Sequence, residues 1–150
     1  MKIILLFFLI IGFYSFKYDT KKAVKYAQKH CINHNPVYYF DYEYGDAANF
    51  VSQCMIEGGM NFKGCTGVDD LRGVILNVGY LKVCLDRKGF KSSKNMVKKF
   101  KAGYPIAIGN SHIVIASKIE GSNVYYCAHS IDRCDALLNS TSNDLTYYYI

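Results

Sequence analysis

The stretch GDAANFVSQCM, Gly45 to Met55, decides how this chain folds, because it reads as the start of a buried helix. Asp46 stands where an N-cap belongs, AANFVSQCMIEG runs on with the apolar content of an interior helix, and Gly58-Gly59 stops it. A helix N-terminus collects unpaired backbone N–H groups and the positive end of the helix dipole. A cysteine in that first turn has its thiolate stabilised and becomes a nucleophile at neutral pH. Position 47, where such a group would sit, is Ala47, and a methyl group neither attacks nor ionises. Cys54 falls seven residues further on, two turns down the same helix, and reads as a disulfide or core residue.

Upstream, TKKAVKYAQ (Thr20 to Gln28) has helical spacing with Ala23, Val24 and Ala27 on one side and Thr20, after Asp19, as N-cap. Asn35-Pro36 ends that region, since a residue before proline avoids the helical basin, and a tyrosine-rich loop, VYYFDYEYG, leads into the opening stretch. Downstream, residues 67–86 predict a helix followed by a helix or a strand. Ser92-Ser93 caps a short basic helix from Lys94 to Lys101, closed by Gly103. There the period changes. PIAIG, SHIVIASKI and VYYCAHS are rich in β-branched and aromatic residues and are separated by turn signals at Gly109-Asn110 and Gly121-Ser122-Asn123. TYYYI closes the chain as one more strand. Helices first and an antiparallel meander after them predict an α+β fold, helices packed on a small antiparallel sheet.

The 150 residues suffice for one domain with a core. Met1 and Lys2 precede the apolar run IILLFFLIIGF, which meets polar sequence at Ser15, Lys17 and Asp19. That pattern predicts a secretory signal peptide over 1–16, too short to span a bilayer comfortably as a helix, and a single domain over 17–150; no other segment is expected to cross a membrane. An exported domain of this size with six cysteines (Cys31, Cys54, Cys65, Cys84, Cys127 and Cys134) is expected to hold up to three disulfides, in a pairing the spacing does not choose. No C-x-x-C occurs, so a zinc site is not expected, and no cofactor is expected either. Asn139-Ser140-Thr141 is a glycosylation acceptor pattern, with Asn139 as the site in a eukaryotic host. The net charge of +6 is concentrated: Arg87, Lys88, Lys91, Lys94, Lys98, Lys99 and Lys101 fall within fifteen residues. They form a solvated face or an attraction for an anionic wall or glycan; export argues against nucleic acid.

Two histidines lie in the strand region. His112 opens SHIVIAS and His129 comes late in VYYCAHS. A hairpin turning at Gly121 to Asn123 brings both to the same end of the ladder, where one could serve as general base and the other as its orienting partner. His30 and His34 flank the end of the first helix and carry no assigned role.

These residues resemble a known family, the Putative amidase domain, a branch of the NlpC-like, papain-fold cysteine peptidases and amidases. The likeness begins at AVKYAQKH, continues through NPVYYF, is strongest at GDAANFVSQCMIEGGM, resumes at SHIVIASKI and ends with AHSIDR. The family's helix motif reads Gly-Asp-Cys-(Thr/Ala)-Asn-Phe-Val-Ser-Gln-Cys, and Gly45, Asp46, Asn49, Phe50, Val51, Ser52, Gln53 and Cys54 match it. The resemblance implies that the nucleophile position is Ala47, that His112 is the catalytic histidine, and that His129 is the third member. It gives Asp46 and Asn49 supporting places. It further implies an oxyanion site built from the N–H of residue 47 with Tyr38, Tyr39, Tyr42 or Tyr44. The implied reaction is amide hydrolysis through an acyl-thioester, on peptidoglycan stem peptides or similar links. The departure is Ala47. Either it replaces a native cysteine, a reading to which the retention of both histidines leans, or the chain is a natural pseudoenzyme that binds cell-wall or peptide ligands.

Overall fold

The computed structural model describes residues 17–38, 45–139, 141 and 144–150. The apolar run over 1–16 and the tyrosines at 39, 42 and 44 lie outside them. Helix α1 (Thr20–His30) begins at Asp19, whose carboxylate accepts hydrogen bonds from the backbone N–H groups of Lys21 and Lys22. The cap is therefore one residue earlier than the sequence reading placed it. Ala23 and Ala27 face inward and Lys21, Lys22, Lys25 and Lys29 face solvent. Helix α2 (Ala47–Glu57) is buried at every residue from Ala47 to Met55, as expected of the opening stretch. Helix α3 (Val78–Arg87) starts at Asn77, whose side chain accepts from the N–H of Tyr80. Residues 67–77 form turns and one isolated bridge, Val68 to Ile75, in place of a first helix.

Six strands follow: β1 (Lys91–Ser93), β2 (Pro105–Ile108), β3 (His112–Glu120), β4 (Asn123–Ala128), β5 (Arg133–Leu137) and β6 (Leu145–Tyr149). They form one antiparallel sheet in the order β1-β6-β2-β3-β4-β5. The fold is thus α+β, with α1 and α2 packed against each other and against β3. β2 and β3 sit in the middle. Ile106, Ala107 and Ile113 through Ala116 are fully buried, which is why PIAI and IVIA read as unbroken apolar runs rather than alternating ones. The edges are short or polar, three residues in β1 and a largely exposed β5, which discourages pairing with other chains.

The basic helix expected over 94–101 does not form; the segment is bends and turns with Phe100 buried and the lysines exposed. Lys94 and Lys98 would repel each other one helical turn apart. The chain instead anchors Phe100 against Tyr104 and Tyr147. Gly103 follows with φ +94, and a Cβ there would lie 2.5 Å from the carbonyl oxygen of Thr20, at the first turn of α1. Tyr18 also donates its hydroxyl to the Gly103 carbonyl at 2.7 Å. Gly103→Ala is expected to destabilise the fold by about 2 kcal/mol or more from backbone strain alone, read as a lower urea midpoint; an unchanged midpoint would contradict this packing.

Four of the six cysteines pair. Cys31–Cys134 ties the end of α1 to the edge strand β5 across 103 residues, and Cys65–Cys84 ties the loop after α2 to α3 across 19. Cys54 and Cys127 are free and buried. Burial holds the Cys54 thiol well above its ordinary value and pushes the Cys127 thiol up as well, so neither supplies a thiolate at neutral pH. Two disulfides fit an oxidising, extracellular setting. Among the described residues no helix is long and apolar enough to cross a membrane.

Candidate active site

The site grows from the N-terminus of α2. Gly45 takes φ +79, a left-handed turn that glycine makes without strain, and delivers Asp46 to the N-cap position. Asp46 does not cap the helix with its side chain. Its carboxylate is engaged elsewhere: one oxygen accepts from Asn49 Nδ2 at 2.6 Å and the other lies 2.6 Å from His129 Nδ1. Its own N–H donates to Ser130 Oγ at 2.8 Å. The first-turn N–H groups of α2 are therefore left without a side-chain cap, beside the methyl group of Ala47.

Ala47 and Ala48 form one wall of a cleft of about 730 Å³. Leu76 to Gly79, at the start of α3, form a second wall, and Asn110, Ser111, His112 and Ser130 complete it. The structure thus brings Ala47 and His112 to one cavity. His112 is half-buried, and that burial lowers its pKa from the ordinary 6.5, so the ring is neutral at pH 7 and equipped to accept a proton. Folding favours its neutral form. Its contribution to stability is full above pH 6.5 and falls as the pH drops from 6.5 toward the lowered folded value. An NMR titration is expected to place the His112 midpoint below 6.5; a midpoint at or above that value would contradict the burial argument.

His129 occupies different surroundings. It is 1% exposed; Nε2 donates to the carbonyl of His30 at 2.8 Å, and Nδ1 faces Asp46. Its ring is stacked between Phe50 and His34, each with centroids 3.8 Å away. It does not line the His112 cleft. The β3–β4 register shifts between Ala116 and Lys118, leaving Ser117 as an extra residue, and Ile115 pairs with Cys127 beyond it. β4 ends at Ala128, so His129 stands in the turn that follows, outside the paired ladder. Ser130, with φ +80, is the residue that joins His112 at the cleft.

Behind the cleft runs a row of hydrogen bonds along the α1–α2 interface. Asn35 donates to the Tyr26 hydroxyl, Tyr26 to Gln53, Gln53 to Asn49 and Asn49 to Asp46; from Asp46 the row continues through His129 to the His30 carbonyl. Burial pushes the Tyr26 phenol up, which keeps it a donor. Asn49 also donates to the Tyr38 carbonyl at 3.0 Å, so Tyr38 touches this row through its backbone.

Several participants carry no sequence signal of their own. His34, unassigned in the sequence, stacks on His129 and places Nε2 3.0 Å from both carboxylate oxygens of Asp132. His30 contributes only its carbonyl. Ser130 and Asp132 lie in the AHSIDR stretch and reach the site through the turn that follows β4. At the opposite end of the chain's chemistry, Lys88, Lys91, Lys94, Lys98, Lys99 and Lys101 are all exposed. Asn139 is exposed as well, its side-chain oxygen accepting from the N–H and hydroxyl of Thr141.

The cleft thus faces a helix N-terminus on one side and a neutral histidine on the other. Residues 17–71 match the family described as Putative amidase domain. That match covers α1, α2 and Ala47, stops before α3 and does not reach His112 or His129. No curated protein and no solved structure matches the chain.

Proposed function

We propose that this chain carries the scaffold of a secreted cysteine amidase or peptidase of the NlpC-like, papain-fold type, silent because Ala47 stands in the nucleophile's place. The observation that carries this reading is the shared cleft of Ala47 and His112 at the start of α2. A thiol at position 47 would have the helix dipole beneath it and a neutral imidazole across the cavity, the two groups a thioester mechanism needs. The N–H of residue 47 is suited to the developing oxyanion. His112 is the general base. His129 and Asp46 act from below, fixing the helix start that presents residue 47.

The ligand class is an amide-bonded peptide, with peptidoglycan stem peptides as first choice. The exposed lysines from Lys88 to Lys101 would draw the chain toward anionic walls. A second reading, a natural binding module, is favoured by the completeness of the cleft without a thiol. Two measurements separate the readings. Turnover of stem-peptide amides by Ala47→Cys supports the enzyme scaffold. Binding of the same peptides by the unaltered chain, with no turnover after Ala47→Cys, supports the module; neither binding nor turnover sinks both.

A further inference from the structure

We propose that His34, Asp46 and His129 form a binding site for a divalent transition ion of zinc-like softness, a role that goes beyond the amide-binding reading and does not rest on it. The sequence has no clustered metal motif, but the fold assembles one from three separate segments. Among the described residues these three are the one group whose candidate ligand atoms all lie within 4.8 Å of one another.

The surroundings are those of a metal site as well as the ligands. A metal-binding histidine characteristically donates its other ring N–H to a carboxylate or carbonyl, and a ligating carboxylate is itself held by a hydrogen bond. Both conditions are met across the three residues. His34 Nε2 lies 3.0 Å from Asp132, His129 Nε2 lies 2.8 Å from the His30 carbonyl, and Asp46 accepts from Asn49 at 2.6 Å. With both Nε2 atoms donating outward, both Nδ1 atoms are the ones turned toward Asp46 Oδ2, at 3.9 Å from His34 and 2.6 Å from His129. An ion bound here takes the place of the hydrogen bond between His129 Nδ1 and Asp46 Oδ2, which lie 2.6 Å apart.

Access comes from a second cleft of about 400 Å³, lined by His34, Gly45, Asp46, Ser130 and Asp132. Two imidazoles and one carboxylate select zinc, cobalt or nickel over magnesium and calcium, which favour all-oxygen sites. The rings of His34 and His129 are stacked within 7° of parallel, so one ion lies in both ring planes only if His34 turns. His34 sits at the partly exposed rim, in irregular backbone between α1 and the turn at Pro36–Tyr38.

The test titrates Zn²⁺ and Co²⁺ alone into the metal-stripped full chain with both disulfides intact. Chelator competition gives affinity and the visible Co²⁺ spectrum reports the ligands. One ion per chain, bound tighter than about 10 µM, with a Co²⁺ spectrum lacking thiolate charge transfer, is the expected result. His34→Ala should abolish that binding, and Asp132→Asn should weaken it by about 10- to 100-fold; circular dichroism shows whether each variant is folded. A Zn²⁺-induced rise in melting temperature that vanishes in His34→Ala gives a second readout. His30→Ala and His112→Ala should bind as the parent does, since one supplies only a carbonyl and the other lies in the other cleft. Absence of stoichiometric binding, binding that survives His34→Ala, or binding lost with His112→Ala would each overturn the site.

Discussion

Ala47→Cys is expected to give the chain a reactive thiol and an amidase activity that iodoacetamide abolishes. Residue 47 is the first residue of α2, where uncapped N–H groups and the dipole stabilise negative charge. Cysteines in such places have pKa values well below that of a free thiol, so alkylation at pH 7 should run roughly tenfold or more faster than for free cysteine. The two existing thiols do not confuse the measurement, because Cys54 and Cys127 are buried and their burial raises them. His112→Ala in the same background should cut hydrolysis by about 10² to 10⁴, the usual contribution of a general base. With the His112 pKa lowered by burial, its base form persists below pH 6.5, and activity should too. A restored cysteine that alkylates no faster than free cysteine and hydrolyses nothing would remove catalysis from the reading altogether.

The largest expected effect on stability comes from the Cys31–Cys134 bond. It closes a loop of 103 residues, against 19 for Cys65–Cys84. On the chain-entropy account the longer loop restrains the unfolded state by about 4.7 kcal/mol and the shorter by about 3 kcal/mol. Cys31→Ser with Cys134→Ser should therefore lower the melting temperature by on the order of 10 °C, more than the matching pair at Cys65 and Cys84. The bond also staples the end of α1, with the His30 carbonyl and His34 beside it, to the turn that carries Asp132 and His129. Its loss should loosen that corner first, visible as faster amide exchange near His129. A double variant as stable as the parent would mean that edge strand β5 holds itself in place.

What could be read from the sequence divides along physical lines. Helices α1 and α2 and strands β2, β3, β4 and β6 were legible, because period, cap residues and β-branched runs are local properties. β1 and β5 were not, being short, polar and paired only through distant partners: β1 exists because Lys91 to Ser93 find Tyr147 to Tyr149. The lysine run read as a helix from its spacing, yet burial of Phe100 and the left-handed turn at Gly103 decide that segment. Ala47 and His112 were placed by the helix start and the strand start, and they line the same cleft. His129 stands in the turn after β4, outside the ladder that holds His112, and a turn leaves no periodicity from which to read the relation of the two. His34, Ser130 and Asp132 came into view only through the packing of separate segments.

The row of hydrogen bonds from Asn35 to His30 bears on how this site could change over evolutionary time. None of its members uses the side chain at position 47. Asp46, Asn49 and His129 are held because the α1–α2 interface would otherwise bury unpaired polar groups, at about 1–3 kcal/mol for each. Selection for folding alone therefore retains them, and their presence is no record of selection for chemistry. Exchange of alanine for cysteine at position 47 would leave the surrounding architecture standing, so the two forms lie one substitution apart.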